Sequence, residues 1–165
     1  MARVLIVGGG CRGRMLAAGL VGERHAVRIT TRSESGRAAI EATGAECWIG
    51  TPDRLATLRG SLDSVTVACW LLATAGGEED DVRALHSTRL EFFLSQTIDT
   101  TVRGFLYEAT GTIADPLLLA EGERIARAMT ARNEIPLRCL TAVPADADAW
   151  LWQASTEIRS LLGGG

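Results

Sequence analysis

The sequence contains no lysine, so all 17 of its basic residues are arginines. It has one tyrosine, two histidines and four cysteines among 165 residues. The lack of lysine excludes Schiff-base chemistry and the lysine of a phosphate-binding P-loop. The cysteines form no CxxC pair, and most lie in apolar runs, which argues against disulfides and against a zinc site. We therefore expect a protein of the reducing cytoplasm that binds no metal.

Charge and hydropathy exclude further classes. The formal net charge is −3 and the arginines are scattered, so the sequence gives no reason to expect a nucleic-acid partner. No apolar run approaches the roughly 18 residues that span a bilayer, and no signal peptide precedes the first predicted strand. A soluble protein without a membrane partner is the expectation.

Short β-rich segments alternate with helical patterns along the chain, which is typical of a parallel sheet with crossover helices. The predicted strands are residues 4–7, 27–31, 46–49, 65–72, 102–109 and 137–143, and the predicted helices are 12–21, 35–42, 52–59, 80–98, 116–132 and 147–162. This pattern predicts the α/β class: one three-layer αβα domain over residues 1–162, with a flexible tail at 163–165. Its doubly wound, six-stranded parallel sheet has the order 3-2-1-4-5-6, and ligands of such sheets bind where the carboxyl ends of strands one and four meet.

The segment VLIVGGGCRGRML places Gly8, Gly10 and Gly13 in a GxGxxG spacing between the first strand and the first helix. In that context the spacing is the fingerprint of a Rossmann dinucleotide site. Gly8 permits the tight turn, Gly10 lets the backbone approach a pyrophosphate, and Gly13 lets the helix pack close to the sheet. Cys11 and Arg12 lie in the same turn. We interpret Cys11 as a small loop residue, because no partner base accompanies it that would favour a reactive thiol.

The segment ITTRSESGR closes the second strand, where NAD-binding proteins carry an acidic residue that binds the ribose. Here Arg32 follows Thr31, and a guanidinium suits a 2′-phosphate that a carboxylate would repel. Ser33 adds a hydroxyl, and Arg12 and Arg37 are candidates to reach the same anion. The pattern favours NADP(H) over NAD(H), although solvated arginines, or another adenine dinucleotide such as FAD, are the alternatives.

Residues 3–75 resemble the N-terminal part of atypical and extended short-chain dehydrogenases, the group that includes NAD-dependent epimerases and dehydratases. In that family a Gly-Asp pair after strand three contacts adenine, and strand four ends in small residues. Gly50 and Thr51 take the place of the pair here, and Leu72, Ala73 and Thr74 lie at the end of strand four. The resemblance implies that these positions contact the cofactor and that the protein is a homodimer.

The proton-transfer pair of that family, Tyr-x-x-x-Lys, is missing. The only tyrosine, Tyr107, lies within the fifth strand. His86 and Thr110 are the remaining weak candidates for a catalytic role, although a helix histidine without function is the commoner case. Glu108, if buried, is expected to form an ion pair with an arginine such as Arg103 or Arg89. The catalytic residues therefore stay unknown.

These features predict an NADP(H)-binding Rossmann protein that acts as a non-catalytic sensor or as one subunit of a larger enzyme. The chain stops after the sixth strand and its helix, whereas dehydrogenases of this shape usually build a substrate pocket from a further segment. The alternative is a minimal NADPH-dependent oxidoreductase acting on a small carbonyl. Phe92 and Trp152, which fall off the apolar stripes of their helices, fit a dimer interface.

Overall fold

A computed structural model describes residues 2–113 and 115–163 of the chain. Six parallel strands form one sheet in the order 3-2-1-4-5-6, which confirms the predicted topology. The strands are β1 (Arg3–Gly8), β2 (Ala26–Thr31), β3 (Glu46–Ile49), β4 (Val67–Leu71), β5 (Gly104–Glu108) and β6 (Leu137–Leu140). The winding reverses between β1 and β4, so the carboxyl ends of these two strands form the predicted ligand edge.

Helices cover both faces of this sheet. They are α1 (Gly10–Gly22), α2 (Arg37–Glu41), α3 (Glu79–Leu85), α4 (Thr88–Gln96), α5 (Pro116–Arg132) and α6 (Ala147–Gly163). One apolar core lies between the sheet and α1, α2 and α6, and a second lies between the sheet and α3, α4 and α5. Every residue of β4 is buried, as expected for a central parallel strand with side chains in both cores.

The predicted helix at residues 52–59 is wrong. Two short 3₁₀ turns, Leu55–Thr57 and Arg59–Leu62, occupy this stretch instead. The Thr57 hydroxyl donates to the Arg54 carbonyl over 2.6 Å and accepts from the Thr51 amide over 2.8 Å, so it satisfies backbone groups that a continuous helix would pair. Hydroxyl side chains compete with helical hydrogen bonds in this way, which explains the tighter turns.

The helix predicted over residues 80–98 is two helices, α3 and α4, separated at His86 and Ser87. The Ser87 hydroxyl donates to the Arg83 carbonyl over 2.8 Å, and the backbone of Ser87 leaves the helical region with φ −139°. The break turns the His86 ring into the core, where both of its nitrogens have partners. A side chain that inserts into the structure at this point accounts for the interruption.

Several other element ends differ from the predictions, by up to three residues. The sixth strand ends at Leu140 because Gln153 Oε1 accepts from the amides of Thr141 and Ala142, at 3.0 and 2.7 Å, which takes them out of the sheet. Gly163, expected in the flexible tail, is the last residue of α6. The rest of that tail, residues 164–165, lies outside the described residues. By contrast, α5 has the predicted bounds, with the Asp115 carboxylate accepting from the Leu117 amide at its N-terminus.

The expectations about disulfides, metal binding and membrane spanning can be compared with the fold. All four cysteines are free thiols. Over residues 2–113 and 115–163, no group of three or more His, Cys, Asp or Glu side chains is arranged to hold a metal ion. In the same ranges no helix has the length and apolar character that crossing a bilayer requires.

Candidate functional site

The ligand edge carries an open cleft of about 570 Å³ at the carboxyl ends of β1 and β4. Three consecutive glycines, Gly8, Gly9 and Gly10, form one wall, and Arg32 closes the end beside β2. The loop that follows β4, residues 72–77, forms the opposite wall. The structure therefore brings five predicted site residues to one cleft: Gly8, Gly10, Arg32, Leu72 and Thr74.

The glycine turn owes its shape to backbone conformations that other residues adopt only under strain. Gly8, Gly9 and Gly10 have φ values of +85°, +86° and +54°. A Cβ on Gly8 would clash with the Leu71 carbonyl, whereas one on Gly10 would meet nothing within 4 Å. Gly8 is thus required by the fold, whereas a side chain at Gly10, which lines the cleft, would meet no protein atom.

Helix α1 begins at this turn. Its N-cap residue is Gly9, and in the described chain neither a side-chain cap nor an acidic first-turn residue occupies the helix start. The first N–H groups of the helix and the positive end of its dipole remain available to an anion. Gly13 is buried, and a Cβ there would lie 3.1 Å from the Gly8 carbonyl oxygen, which agrees with a close approach of helix and strand.

Arg32 stands at the far end of the cleft with 70% of its side chain exposed. One of its N–H groups contacts Asp53 Oδ2 over 2.7 Å, and Asp53 also lines the cleft. The other Asp53 oxygen accepts from Arg89 over 2.6 Å. Asp53 lies three residues beyond Gly50, within the segment compared above with the adenine-contacting Gly-Asp pair. The sequence analysis missed both Asp53 and its bond to Arg89.

A smaller cavity of about 110 Å³ joins the Arg32 end of the cleft, between the ends of β2 and β3. Thr31, Gly50, Pro52 and Leu72 are among its lining residues. Thr51 is not, because its backbone amide and hydroxyl are held in the following turn by Thr57 and Asp53. The lining is mostly small and apolar, so this cavity suits a flat, uncharged ring better than a charged group.

Arg12 and Arg37 do not meet Arg32. The Arg12 guanidinium donates to the Thr74 hydroxyl over 3.2 Å and stacks 5.3 Å from the centre of the Trp150 ring. Arg37 is paired with Glu34 and Glu41 on its own helical turn, at 2.7 and 3.2 Å. Neither arginine lines the cleft. Ser33 bonds to Ser35, and Cys11 is an exposed residue of the first turn of α1.

Glu108 is buried, as the prediction of its ion pair assumed, but the predicted arginine partner is wrong. Its Oε1 accepts from the Ala73 amide over 2.9 Å and its Oε2 accepts from the Trp150 indole over 2.8 Å. Burial raises the pKa of Glu108, and these two bonds oppose that rise. The Ala73 carbonyl in turn accepts from the Thr112 amide over 3.0 Å. The loops after β4 and β5 are therefore tied together at Ala73.

His86 and Tyr107 form a second buried pair. His86 Nδ1 lies 2.8 Å from the Tyr107 hydroxyl, and Nε2 lies 3.1 Å from the Leu72 carbonyl oxygen. A carbonyl only accepts, so Nε2 carries the proton and Nδ1 accepts from the tyrosine. Burial lowers the pKa of His86 and raises that of Tyr107. Both rings are fully buried and neither lines the cleft, whereas His86 borders a separate cavity of about 620 Å³ between α3 and α5.

A second cavity of about 380 Å³ continues from the cleft past Thr74 and the loop to Gly77. Val82, Ile113 and Leu118 give it an apolar side, and Glu79, Thr112 and Asp115 give it polar groups. Thr110, the other catalytic candidate, is half-buried after β5 and lines neither space. The edge thus offers a long polar cleft followed by a smaller, more apolar one.

Solved structures share this fold at low sequence identity. UDP-glucuronic acid 4-epimerase from Bacillus cereus, in complex with NAD, superposes with a TM-score of 0.66 at 15% identity, over 86% of this chain and 56% of the epimerase. UDP-glucose 4-epimerase from Thermotoga maritima, with UDP-glucose, gives a TM-score of 0.68 at 14% identity, over 83% of this chain and 54% of that one. BdcA from E. coli gives 0.68 at 13% identity, over 94% and 89% of the two chains.

At these identities the likeness shows the fold, a Rossmann-like sheet of the kind found in those epimerases and reductases. The chain spans about half the length of the epimerases that it matches. No protein-family model matches the sequence, and the search of curated proteins gave no match.

Proposed function

We propose that this chain binds NADP(H) along the ligand edge, with the pyrophosphate over the first turn of α1 and the 2′-phosphate at Arg32. The observation that carries the proposal is the cleft itself, in which an open glycine backbone and an exposed guanidinium line one continuous space. Arg32 has five N–H donors and gives one of its nitrogens to Asp53, so donors remain for a phosphate.

The adenine is then expected in the small cavity between the ends of β2 and β3. That cavity shares Gly8, Arg32 and Leu72 with the main cleft, so a ring placed there lies beside both the glycine turn and the ribose position. The structural neighbours agree with this class of ligand, since one of them is a complex with NAD. We infer the choice of NADP(H) over NAD(H) from the position of Arg32.

Within this proposal the chain acts as a binding module, either a sensor of the bound dinucleotide or a subunit of a larger enzyme. Its one tyrosine and the nearby His86 are buried and bonded to each other. The lysine that would accompany a catalytic tyrosine does not occur in the sequence. The groups that could move protons are therefore buried and lie outside the lining of the cleft in which we place the dinucleotide.

The second cavity favours one alternative, an NADPH-dependent oxidoreductase acting on a small carbonyl. It adjoins the cleft through Thr74 and the loop to Gly77, so a substrate there would lie next to the reactive end of the cofactor. Its apolar side, formed by Val82, Ile113 and Leu118, suits a small uncharged molecule. Water would have to supply the proton in this scheme.

Titration of the protein with NADPH and NADH, before and after Arg32→Glu, tests the cofactor. We expect NADPH to bind more tightly to the original chain and the substitution to weaken NADPH by about 10- to 100-fold, because a charged hydrogen bond is replaced by repulsion. Arg132→Glu, at the end of α5, makes the same change in charge at the opposite edge of the sheet and serves as the control. Equal affinity for both dinucleotides, unchanged by Arg32→Glu, would contradict the proposal.

Catalysis is tested separately by following NADPH oxidation with aldehydes, ketones and quinones. A binding module gives no turnover above the background rate despite tight NADPH binding. Turnover that is lost when Val82→Trp fills the second cavity, with NADPH affinity retained, would favour the oxidoreductase instead.

A homodimer remains part of the proposal. Phe92 on α4 is 53% exposed and Trp152 on α6 is 70% exposed, as expected for residues available to an interface. Light scattering of the purified protein measures the oligomeric state directly, and a monomer at micromolar concentration would exclude a stable dimer.

A further inference from the structure

Two arginines share one carboxylate at the Arg32 end of the cleft. Asp53 Oδ2 lies 2.7 Å from Arg32 Nη2, and Asp53 Oδ1 lies 2.6 Å from Arg89 Nη1. The other Nη of Arg89 lies 3.6 Å from Asp81 Oδ1. Asp53 therefore stands between an outer arginine that faces the cleft and an inner arginine on α4.

The three side chains differ in their access to solvent. Arg32 is 70% exposed, Asp53 is 28% exposed and Arg89 is 23% exposed. Arg32 and Asp53 line the cleft, whereas Arg89 does not. A ligand in the cleft can thus meet Arg32 and Asp53 directly, and it meets the charge of Arg89 only through Asp53.

The charges of these groups decide what a phosphate would encounter. Arg32 and Asp53 together sum to zero, so a phosphate at Arg32 would gain attraction from one and suffer repulsion from the other. Arg89 adds a positive charge behind Asp53, and Asp81, which lies 3.6 Å from Arg89 and also lines the cleft, brings the sum of the four groups to zero. If Arg32 leaves Asp53 to bind the phosphate, Asp53 still has Arg89 as a partner. The Asp53 carboxylate is therefore not left unpaired.

We propose that Asp53 competes with the 2′-phosphate for Arg32 and that Arg89, without touching the cofactor, sets the outcome by holding Asp53. This inference rests on the proposed function, since it explains how the NADP(H) site is tuned. It makes Asp53 and Arg89 specificity-determining residues for the choice between the two dinucleotides.

The test measures the affinity of four proteins for NADPH and for NADH: the original chain, Asp53→Asn, Arg89→Ala and the double variant. Asp53→Asn should tighten NADPH binding by about three- to tenfold and leave NADH within about twofold, because it removes the competitor for Arg32. Arg89→Ala should weaken NADPH by about three- to tenfold, since Asp53 then turns fully to Arg32. The double variant should regain the NADPH affinity that Arg89→Ala loses.

Arg159→Ala is the matched control, because it removes an arginine paired with a carboxylate, Glu23, at 2.7 Å on the opposite edge of the sheet. It should change neither affinity. Thermal unfolding of each variant checks that the fold persists. Titration with 2′,5′-ADP and with 5′-AMP, which differ only in the 2′-phosphate and lack the nicotinamide half, measures the contribution of that phosphate.

Three results would overturn the inference. If Asp53→Asn weakens NADH and does not tighten NADPH, Asp53 is a ligand of the ribose. If the double variant binds NADPH as weakly as Arg89→Ala, Arg89 acts on the phosphate itself. If Arg32→Glu changes the preference while Asp53→Asn and Arg89→Ala do not, the inference fails and the proposed function stands. Failure of Arg32→Glu to change the preference, or absence of dinucleotide binding, overturns both.

Discussion

The two halves of the ligand edge use their polar groups in opposite ways. Around the glycine turn and Arg32 the polar groups are exposed: among the described residues no side chain caps the first N–H groups of α1, and Arg32 shares one of its nitrogens with Asp53. Around the end of β5 the polar side chains Tyr107, His86 and Glu108 are buried, and each is bonded within the protein. The first half is arranged to receive an anion and the second to hold two loops in place, which is why we favour binding over reaction.

The largest expected effect is a loss of stability when a side chain is added to the glycine turn. Gly8→Ala should lower the free energy of unfolding by about 3 kcal/mol, because a Cβ would both strain the positive φ and overlap the Leu71 carbonyl. Gly10→Ala adds the same methyl group where nothing lies within 4 Å and should cost only about 1 kcal/mol.

The same pair of variants separates fold from ligand. Gly10→Ala should weaken NADPH by at least about tenfold although the protein stays folded, because its methyl group occupies the space of the pyrophosphate. Denaturant unfolding and NADPH titration measure the two effects. If Gly10→Ala binds NADPH as tightly as the original chain does, the pyrophosphate does not bind at this turn.

An intermediate effect is expected at the buried pair. Tyr107→Phe removes the hydroxyl that donates to His86 Nδ1 and leaves a buried acceptor without a partner. We expect a loss of about 1–3 kcal/mol in the free energy of unfolding, with NADPH affinity changed by less than about twofold. If Tyr107→Phe weakens NADPH binding or lowers turnover by more than about twofold, Tyr107 contributes to ligand binding or reaction and not only to stability.

The pH dependence of stability gives a further test of the same pair. Burial lowers the pKa of His86, so the unfolded chain binds a proton on this side chain at a higher pH than the folded chain does. The free energy of unfolding should therefore fall as the pH drops below about 6.5, the usual pKa of histidine. His86→Gln should lack this component, whereas His25→Gln, which keeps His86, should retain it. Denaturant midpoints between pH 7.5 and 5.5 measure the difference, and equal slopes in both variants would refute it.

The smallest effect is expected at Arg37. This prediction tests whether the anion binds at Arg32 and not at Arg37. Arg37 pairs with Glu34 and Glu41, and its side chain lies outside the cleft lining. Arg37→Ala should change NADPH affinity by less than about twofold and leave the free energy of unfolding almost unchanged, because its ion pairs are exposed to solvent. A loss of NADPH affinity as large as that for Arg32→Glu would place Arg37 in the phosphate site.

The strand order and the position of the glycine turn could be predicted because both depend on local patterns. Apolar runs alternate with helical periods, and Gly8, Gly10 and Gly13 follow a strand directly. The errors occur where side chains bond to distant backbone. The break at His86 needs the Leu72 carbonyl and Tyr107 as partners, and neither partner can be inferred from the helix sequence.

The candidate site shows the same division. Arg32 was identifiable from its place at the end of β2, but Asp53 and Arg89 come from a turn and a helix that only the folded chain brings beside it. The nearest signal was the family's Gly-Asp pair, since Asp53 supplies a carboxylate three residues after Gly50. Glu108 was expected to need a cation, whereas two N–H groups satisfy it.

The peptide groups of Ala73 fix one boundary between the two cavities. Its amide bonds to Glu108 and its carbonyl to Thr112, so tilting this part of the wall would break two hydrogen bonds at once. Farther along the same loop, Gly76 and Gly77 have open space at their Cβ positions, and Gly77 has φ +129°. The wall is thus anchored at Ala73, and because Gly76 and Gly77 line both spaces, a movement of this part of the loop would alter the width of both.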